Sequence, residues 1–448
     1  MKRAVLSLLL IFPLVVAASG RITGSWNGKL VMGGQSLTIV FNINGDSCTL
    51  DSPDQAAMGI PVELKRCTAD SLIVESPQMR AVYEGQLKDG IISGTFKQMG
   101  YSFPLDLKPG VPVYYRPQTP IPPFDYRTEE VTFVNPIDSA VLSGTLSYPV
   151  KFIPGRTPVV LLVSGSGLQN RDEELFQHRP FALIAHHLAM NGIASLRYDD
   201  RSVGKSTGSA SEATTATFAT DAEAGLKYLK ETCRFGKAGV IGHSEGGLIA
   251  FILGGKGKTD FVVSMAGTTV RGDRILVEQN RIILLEKGVP ESMTEDYCRA
   301  LEKVYGYKLA YGSMPGMSPE LLVTMAITEA KADLPEGFRR NLEGLMKSQN
   351  AWLNHFIAYD PAMDIKNITC PVMAINGEKD CQVVAETNLD ALRELLKVKQ
   401  GDVIKSYPGL NHLFQHCTTG SVGEYIKITE TVSPEVLEDI VKFINGSL

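Results

Sequence analysis

The chain has 448 residues, more than one hydrophobic core usually organises, so two domains are expected. Hydrophobic residues make up 44% and charged residues 21%, with 42 Gly and 24 Pro, a balance that excludes a disordered, collagen-like or coiled-coil chain. A formal net charge of -5 and the lack of any Lys/Arg-rich block exclude an electrostatic footprint for nucleic acid. At the start, Lys2 and Arg3 precede an apolar run from Ala4 to Val16 that closes on Ala17, Ala18, Ser19 and Gly20. This is the pattern of a cleaved signal peptide over residues 1–18. The run is too short to span a bilayer comfortably, and no later stretch approaches the roughly 20 apolar residues of a transmembrane helix. The expectation is an exported chain, periplasmic or secreted, with no membrane span once mature. No Cys near the cleavage site supports a lipid anchor.

Residues 19–108 show short alternating runs such as Leu37-Thr38-Ile39-Val40-Phe41 and Ser71-Leu72-Ile73-Val74, separated by turns of the Asn44-Gly45-Asp46 and Lys88-Asp89-Gly90 type. Only strands fit this spacing, and the turns predict hairpins in a small antiparallel sandwich or barrel. No His precedes His178, so this segment reads as an accessory domain whose ligand or partner is unknown. Six prolines (Pro109, Pro112, Pro117, Pro120, Pro122 and Pro123) mark residues 109–126 as a stiff linker.

From residue 127 to 448 apolar strands alternate with helical patterns: Val159 to Val163, Ile193 to Tyr198, Ala238 to Ile241 and Phe261 to Met265 as strands, with helices at Phe181 to Met190, Phe218 to Leu229 and Leu248 to Leu253. Phe181, Ile184, Ala185 and Leu188 fall at i, i+3, i+4 and i+7, between Pro180 and Gly192. Such alternation predicts an α/β fold, a mostly parallel sheet with helices on both faces. Between residues 271 and 356 the strands stop. Amphipathic helices at Ile275 to Lys287, Glu295 to Leu309 and Pro319 to Ala330 read as a lid over the strands' carboxyl ends, where ligands bind in this architecture. Met293, Met314, Met317, Met325 and Met346 could give it an adaptable inner surface, with ordinary helical core as the plainer reading. The alternation resumes at Pro371 to Ile375. Seven Cys leave at least one unpaired; Cys48 with Cys67 and Cys370 with Cys381 are the sequence-near candidates for a bridge, against buried free thiols.

Two segments match Gly-x-Ser-x-Gly: Gly204 to Gly208 and Gly242-His243-Ser244-Glu245-Gly246. The pattern is weak without context, because a nucleophile elbow needs a strand leading in and a helix leading out. Ser244 has both, whereas Ser206 lies beyond its strand and opens into a polar run, so it reads as a loop residue. Gly204-Lys205-Ser206 does not complete a phosphate-binding loop, since the first required Gly falls on Asp199. A serine hydroxyl needs a positioned base, and the base needs a carboxylate. Of the histidines after Ser244, His355 belongs to the helical insertion, while His412 follows the strand-like run Val403 to Ser406. His416, four residues on, could pair with it as a metal ligand, but position 413 is Leu, not the Glu of a zinc protease. Asp380 closes a strand and turn, Val372 to Asp380, with Glu378 as the competing carboxylate. Backbone N–H groups of Glu245 and of Ser166 or Gly167 are the expected oxyanion donors.

With these residues in view the chain resembles the α/β-hydrolase superfamily, and within it secreted bacterial serine esterases of the dienelactone-hydrolase-like and serine-aminopeptidase-like group that carry an N-terminal β domain. The resemblance runs from about Arg127 onward. It is carried by Leu142 to Leu146, Ser164-Gly165-Ser166-Gly167, Arg171-Asp172-Glu173, Tyr198 to Arg201, Gly242 to Gly247, Asp360-Pro361, Cys370-Pro371, Gly377 to Asp380 and Asn411-His412. Many relatives have His-Gly where this chain has Ser164-Gly165. The resemblance implies a Ser244–His412–Asp380 mechanism through an acyl-enzyme, with no cofactor and no metal, acting on a small-molecule ester. An aminopeptidase or thioesterase is the same-fold alternative; for a peptidase Glu278, Glu286, Glu291, Glu295 and Asp296 could hold a substrate amine. A catalytically inert surface-binding protein working through its β domain is the alternative of another class.

Overall fold

The computed structural model describes residues 20–32, 35–55, 57–98, 100–232, 234–311 and 317–447. The expected signal peptide, Cys233 and Met314 lie outside them. The described residues form two compact units, one reaching from residue 20 to 113 and the other from 114 to 447.

In the first unit eight strands form a closed antiparallel barrel: β1 (Gly24–Met32), β2 (Gln35–Asn44), β3 (Ser47–Ser52), β4 (Ala57–Cys67), β5 (Ser71–Ser76), β6 (Ala81–Lys88), β7 (Ile91–Gln98) and β8 (Tyr101–Pro109), each paired with the next and β8 with β1. Closure leaves no unpaired sheet edge. The alternation seen in the sequence sends Leu30, Ile39, Phe41, Leu72, Val74, Tyr83, Leu105 and Leu107 inward as a packed core. Tyr83 lies at its centre, donating its hydroxyl to the carbonyls of Ile92 (3.0 Å) or Leu105 (3.1 Å). The cross-strand pair Gly85 and Gly94 makes room for it, since a Cβ at either would strike the phenol.

The second unit is built on a mixed eight-stranded sheet. Its strands are β9 (Thr128–Val134), β10 (Val141–Ser147), β11 (Val159–Val163), β12 (Ala194–Tyr198), β13 (Ala238–His243), β14 (Val262–Met265), β15 (Val372–Gly377) and β16 (Val403–Tyr407), in the order β16-β15-β14-β13-β11-β12-β10-β9. From β12 to β16 the neighbours are parallel; β9 and β10 form an antiparallel edge. The helices are α1 (Pro180–Met190), α2 (Thr215–Glu231), α3 (Glu245–Gly255), α4 (Gly272–Glu286), α5 (Glu291–Tyr311), α6 (Pro319–Glu329), α7 (Glu336–Lys347), α8 (Ala351–Ala358), α9 (Ala362–Ile365), α10 (Ala385–Leu395) and α11 (Pro434–Gly446).

Because side chains alternate across a strand, the continuous apolar runs feed two cores at once. Val159, Leu161, Val163, Val240, Val262 and Val372 face α2, α3 and α10, while Val160, Leu162, Ile241, Val263 and Met373 face α1 and α11. Helices α4 to α8 form an insertion between β14 and β15, and α5, α6 and α7 pack on a small core of their own around Leu301, Val304, Val323, Ala326 and Leu342.

The proline-rich segment does not remain a free linker along its length. From Tyr114 onward it belongs to the second unit, where the Arg116 guanidinium donates to the carbonyls of Phe176 (3.1 Å), Ile426 (2.9 Å) and Ile428 (2.7 Å), and Gln118 donates to that of Val432 (2.9 Å). Cys48, Cys67, Cys370 and Cys381 are free thiols, so neither candidate bridge is formed. Among the described residues no helix is long and apolar enough to cross a membrane.

Candidate active site

Strand β13 delivers the chain to Ser244 and α3 carries it away, so the turn between them is sharp. Ser244 sits at φ 54°, ψ -117°, a conformation that L-residues pay strain to hold. The flanking glycines are required by close approach: a Cβ on Gly242 would strike the carbonyl of Gly246, and one on Gly246 that of Val163. The Ser244 N–H donates to Met265 of the neighbouring strand at 2.8 Å, which pins the turn to the sheet. Ser206, the rival serine, is buried in a loop. Its Oγ accepts from the Ser143 N–H (2.9 Å) and donates to the Asp199 carbonyl (2.7 Å), so it holds backbone to backbone.

Asp380 and His412 follow β15 and β16 and meet above the sheet. His412 Nδ1 lies 2.7 Å from Asp380 Oδ2 in a fully buried contact. The other oxygen, Oδ1, accepts the N–H groups of Gln382 (2.8 Å) and Val383 (2.9 Å). Glu378, the competing carboxylate, is exposed and accepts from Ser406 Oγ. The His412 loop is closed by Asn411, whose side-chain oxygen accepts from the N–H of Leu413 and of Gln415 at 3.0 Å each. His416 is exposed and pairs with Glu430 at 2.9 Å, away from any shared ligand role with His412. His355 lies on α8 with its pKa lowered by burial.

Ser244 and His412 line one cavity of about 430 Å³. Leu175, Ile275, Leu276, Trp352, Phe356, Val383 and Leu413 supply its apolar wall, and Gln169, Gln279 and Gln382 its neutral polar groups. The insertion contributes through α4 and α8, with the Trp352 and Phe356 rings stacked at 5.0 Å. No described methionine of the insertion lines the cavity, and Met346 takes the plainer role of helical core. Met346 is buried in the insertion's own core and Met317 and Met325 are exposed, because the face that meets the sheet carries aromatic and branched aliphatic residues instead. Of the acidic residues considered as amine ligands, Glu295 pairs with Arg281 (2.7 Å), Asp296 with Arg299, and Glu278 accepts from Thr387 (2.6 Å); none of the five lines the cavity.

Of the expected oxyanion donors, Glu245 and Ser166 stand on the cavity wall. Gly167, in the left-handed conformation at φ 94°, is not on it and instead lines a separate small cavity with Asp200 and Phe218. At the first position of α3 the Glu245 N–H has no place in the helix's own ladder. Its carboxylate is buried, accepts from Thr215 Oγ1 (2.6 Å) and Trp352 Nε1 (2.7 Å), and is also bonded to the Ser166 side chain. Burial raises its pKa against these donors.

Two further groups went unread in the sequence. Glu173, at φ 51° in the loop after β11, accepts from Gly165 N–H at 2.6 Å and faces His243 Nδ1 at 2.9 Å; His243 Nε2 lies 3.0 Å from the His412 carbonyl. Burial alone would lower the His243 pKa, but the charge and hydrogen bond of Glu173 and the His412 carbonyl outweigh it and the pKa is raised. Nothing in the spacing signals either pairing.

No family model matches the chain. Over 261 residues, 58% of its length, the chain is 26% identical to Esterase EstD of Thermotoga maritima, covering 55% of that protein. Over 75 residues, 17% of its length, it is 33% identical to a non-heme chloroperoxidase of Burkholderia pyrrocinia, covering 26% of that protein. The chain thus spans about half the length, or less, of the curated relatives it matches. Among solved structures, Est1E of Butyrivibrio proteoclasticus with ferulic acid bound is similar at TM-score 0.42 and 16% identity, covering 71% of this chain and 99% of that one. The esterase Pf2001 of Pyrococcus furiosus is similar at TM-score 0.41 and 16% identity, covering 75% and 98%. The chain is thus similar in sequence to an esterase over 58% of its length, and its parallel strands end in a strained serine turn on one side and in the Asp380 and His412 loops on the other.

Proposed function

We propose that this protein hydrolyses carboxylic esters through a Ser244–His412–Asp380 triad. The observation that carries the reading is the buried 2.7 Å contact between Asp380 and His412, on the cavity that the Ser244 turn also lines. In this reading Ser244 Oγ attacks the acyl carbon while His412 Nε2 takes its proton. The tetrahedral oxyanion is met by the N–H groups of Glu245 and Ser166. His412 returns the proton to the departing alkoxide as the C–O bond breaks, leaving an acyl-enzyme. Water, deprotonated by His412, then releases the acid and restores Ser244.

The wall favours a neutral, largely apolar ester of modest size, with the insertion acting as a lid whose Trp352 and Phe356 cover the acyl group. An aminopeptidase would need carboxylates free to hold an ammonium, whereas Glu278, Glu295 and Asp296 pair elsewhere and the two carboxylates on the cavity wall, Glu173 and Glu245, are held in buried hydrogen bonds. Labelling with a fluorophosphonate and mapping the adduct by mass, then assaying an ester panel beside thioesters and aminoacyl amides, tests the reading. An adduct on Ser244 and turnover of esters are expected; a folded protein without the adduct would speak for the inert binding alternative. Residues 1–18 are read as an export signal, and N-terminal sequencing of the mature protein from the periplasm or medium tests that.

A further inference from the structure

Three elements of the proposed machinery come from distant parts of the chain: the loop Ser164–Gly167, the serine turn, and the His412 loop. One buried pair touches all three. Glu173 Oε1 accepts from Gly165 N–H at 2.6 Å, and the same oxygen lies 2.9 Å from His243 Nδ1. His243 immediately precedes Ser244, and its Nε2 reaches the His412 carbonyl at 3.0 Å. Both side chains are more than nine-tenths buried. Gly165 is wedged in the angle between them and the serine: a Cβ there would stand 3.1 Å from Ser244 Cβ and 3.2 Å from Glu173 Oε1.

A backbone carbonyl only accepts, so Nε2 of His243 carries a proton. One oxygen of Glu173 meets both the Gly165 N–H and Nδ1, an arrangement that suits a charged His243–Glu173 pair, and the raised pKa of His243, with Glu173 as the opposing charge, agrees with it. In that state His243 is an imidazolium and does not serve as a base for Ser244. A buried ion pair of this kind adds little net stability over an apolar pair, but it holds fixed directions in a low-dielectric setting.

We propose that Glu173 and His243 are positioning residues that act as one bracket, setting the oxyanion loop through Gly165 and the His412 loop through its carbonyl, so that both address Ser244 together. The proposal rests on the ester-hydrolase reading. Both stand on the cavity wall, but their polar atoms are spent on each other, on Gly165 and on the His412 carbonyl, so they act on rate rather than on substrate affinity.

The test uses the full chain carrying Glu173→Gln, His243→Gln and both, each checked for native circular dichroism, with kcat and KM measured on a p-nitrophenyl ester. Each single variant is expected to lower kcat by about 30- to 100-fold, the scale of a small misplacement of reacting groups, with KM within about threefold. The double variant should be no slower than either single one, because the pair acts as a unit and removing both partners leaves no orphan charge. Folded single variants with kcat near wild type, or losses that multiply in the double variant, overturn the proposal. If a variant does not fold, the wild-type chain with ¹⁵N-labelled histidine decides: two protonated ring nitrogens on His243 at pH 7.5 are expected, and a neutral ring overturns the bracket. Fluorophosphonate labelling separates the two readings. An adduct on Ser244 with unchanged variant kcat removes only the bracket, whereas no adduct in the wild type removes the hydrolase reading with it.

Discussion

Asp380 and His412 share a hydrogen bond of 2.7 Å in which the carboxylate has no choice of orientation, because its second oxygen is already held by the N–H groups of Gln382 and Val383. An Asn at this position would keep its carbonyl on those two donors and turn its NH2 toward His412. Nδ1 would then have to accept, moving the proton to Nε2, where the imidazole cannot receive one from Ser244. Asp380→Asn is therefore expected to lower kcat by about 10⁴-fold with the fold intact. Steady-state kinetics with a thermal melt check it, and a loss under tenfold would contradict the assigned role.

The two serine motifs separate in one experiment. Ser244→Ala should abolish fluorophosphonate labelling and lower kcat by at least about 10⁴-fold. Ser206→Ala should leave the label on Ser244 but weaken the fold by about 1–2 kcal/mol, since it strips a buried acceptor from Ser143 and a donor from Asp199. Urea denaturation measures the second effect; wild-type stability in Ser206→Ala, or loss of its label, would contradict it.

The residues that could be read from the chain were those whose local sequence states their job. Strand, Gly-x-Ser-x-Gly and helix determine a turn, and the turn places Ser244. Asp380 and His412 likewise sit directly after strands, so their height above the sheet follows from strand order. Glu173 was visible only as part of Arg171-Asp172-Glu173, because its partner His243 is 70 residues away and the path of the intervening loop decides the contact. Trp352 is 107 residues from Glu245, and helical periodicity says which face it occupies but not what that face meets. That Ser166 rather than Gly167 stands on the cavity wall likewise follows from loop geometry. The barrel was legible as hairpins, whereas its closure through β1 and β8 depends on a pairing of Trp26 with Pro109 and Asn27 with Lys108 that no local pattern encodes.

Beneath the Ser164–Gly167 loop lies Asp200, whose pKa burial pushes up to about 7 despite donors from Gln169 N–H (2.8 Å) and Ser164 Oγ (3.2 Å). A carboxyl whose folded pKa exceeds its ordinary value of 3.8 binds its proton more tightly folded than unfolded. Its contribution to stability therefore falls as pH rises from about 4 to 7, by up to about 4 kcal/mol, and is constant outside that window. Asp200→Asn, which keeps the accepting oxygen, should be more stable than wild type above pH 7 and no more stable below pH 4. Denaturation at several pH values checks it; parallel curves for the two proteins would refute it.

Arg116 shows that part of the proline-rich segment is a fastening. Its guanidinium serves three carbonyls on two loops, one of which leads to Leu175 on the cavity wall. Arg116→Ala is expected to destabilise the second unit by about 2 kcal/mol, because those carbonyls lose a charge-assisted donor. The midpoint of urea unfolding of the full chain, followed by a probe in the second unit, reads the shift, while Arg116→Lys should recover only part of it since an ammonium lacks the planar fork.

Trp352 has two attachments with separable consequences: its ring stacks on Phe356 at the cavity wall, and its Nε1 donates to the buried Glu245 carboxylate at 2.7 Å. Trp352→Phe keeps most of the ring and removes the donor. It should leave acyl preference unchanged but lower kcat by about tenfold, because Glu245, whose N–H is the proposed oxyanion donor, loses one of the groups that orient it. Trp352→Ala also opens the wall, so kcat/KM for short acyl esters should fall further while that for bulky aromatic acyl esters falls less, shifting the ratio between them by about 10- to 100-fold. A panel of p-nitrophenyl esters from acetate to a naphthoate measures both effects, and an unchanged ratio in Trp352→Ala would remove Trp352 from the acyl pocket.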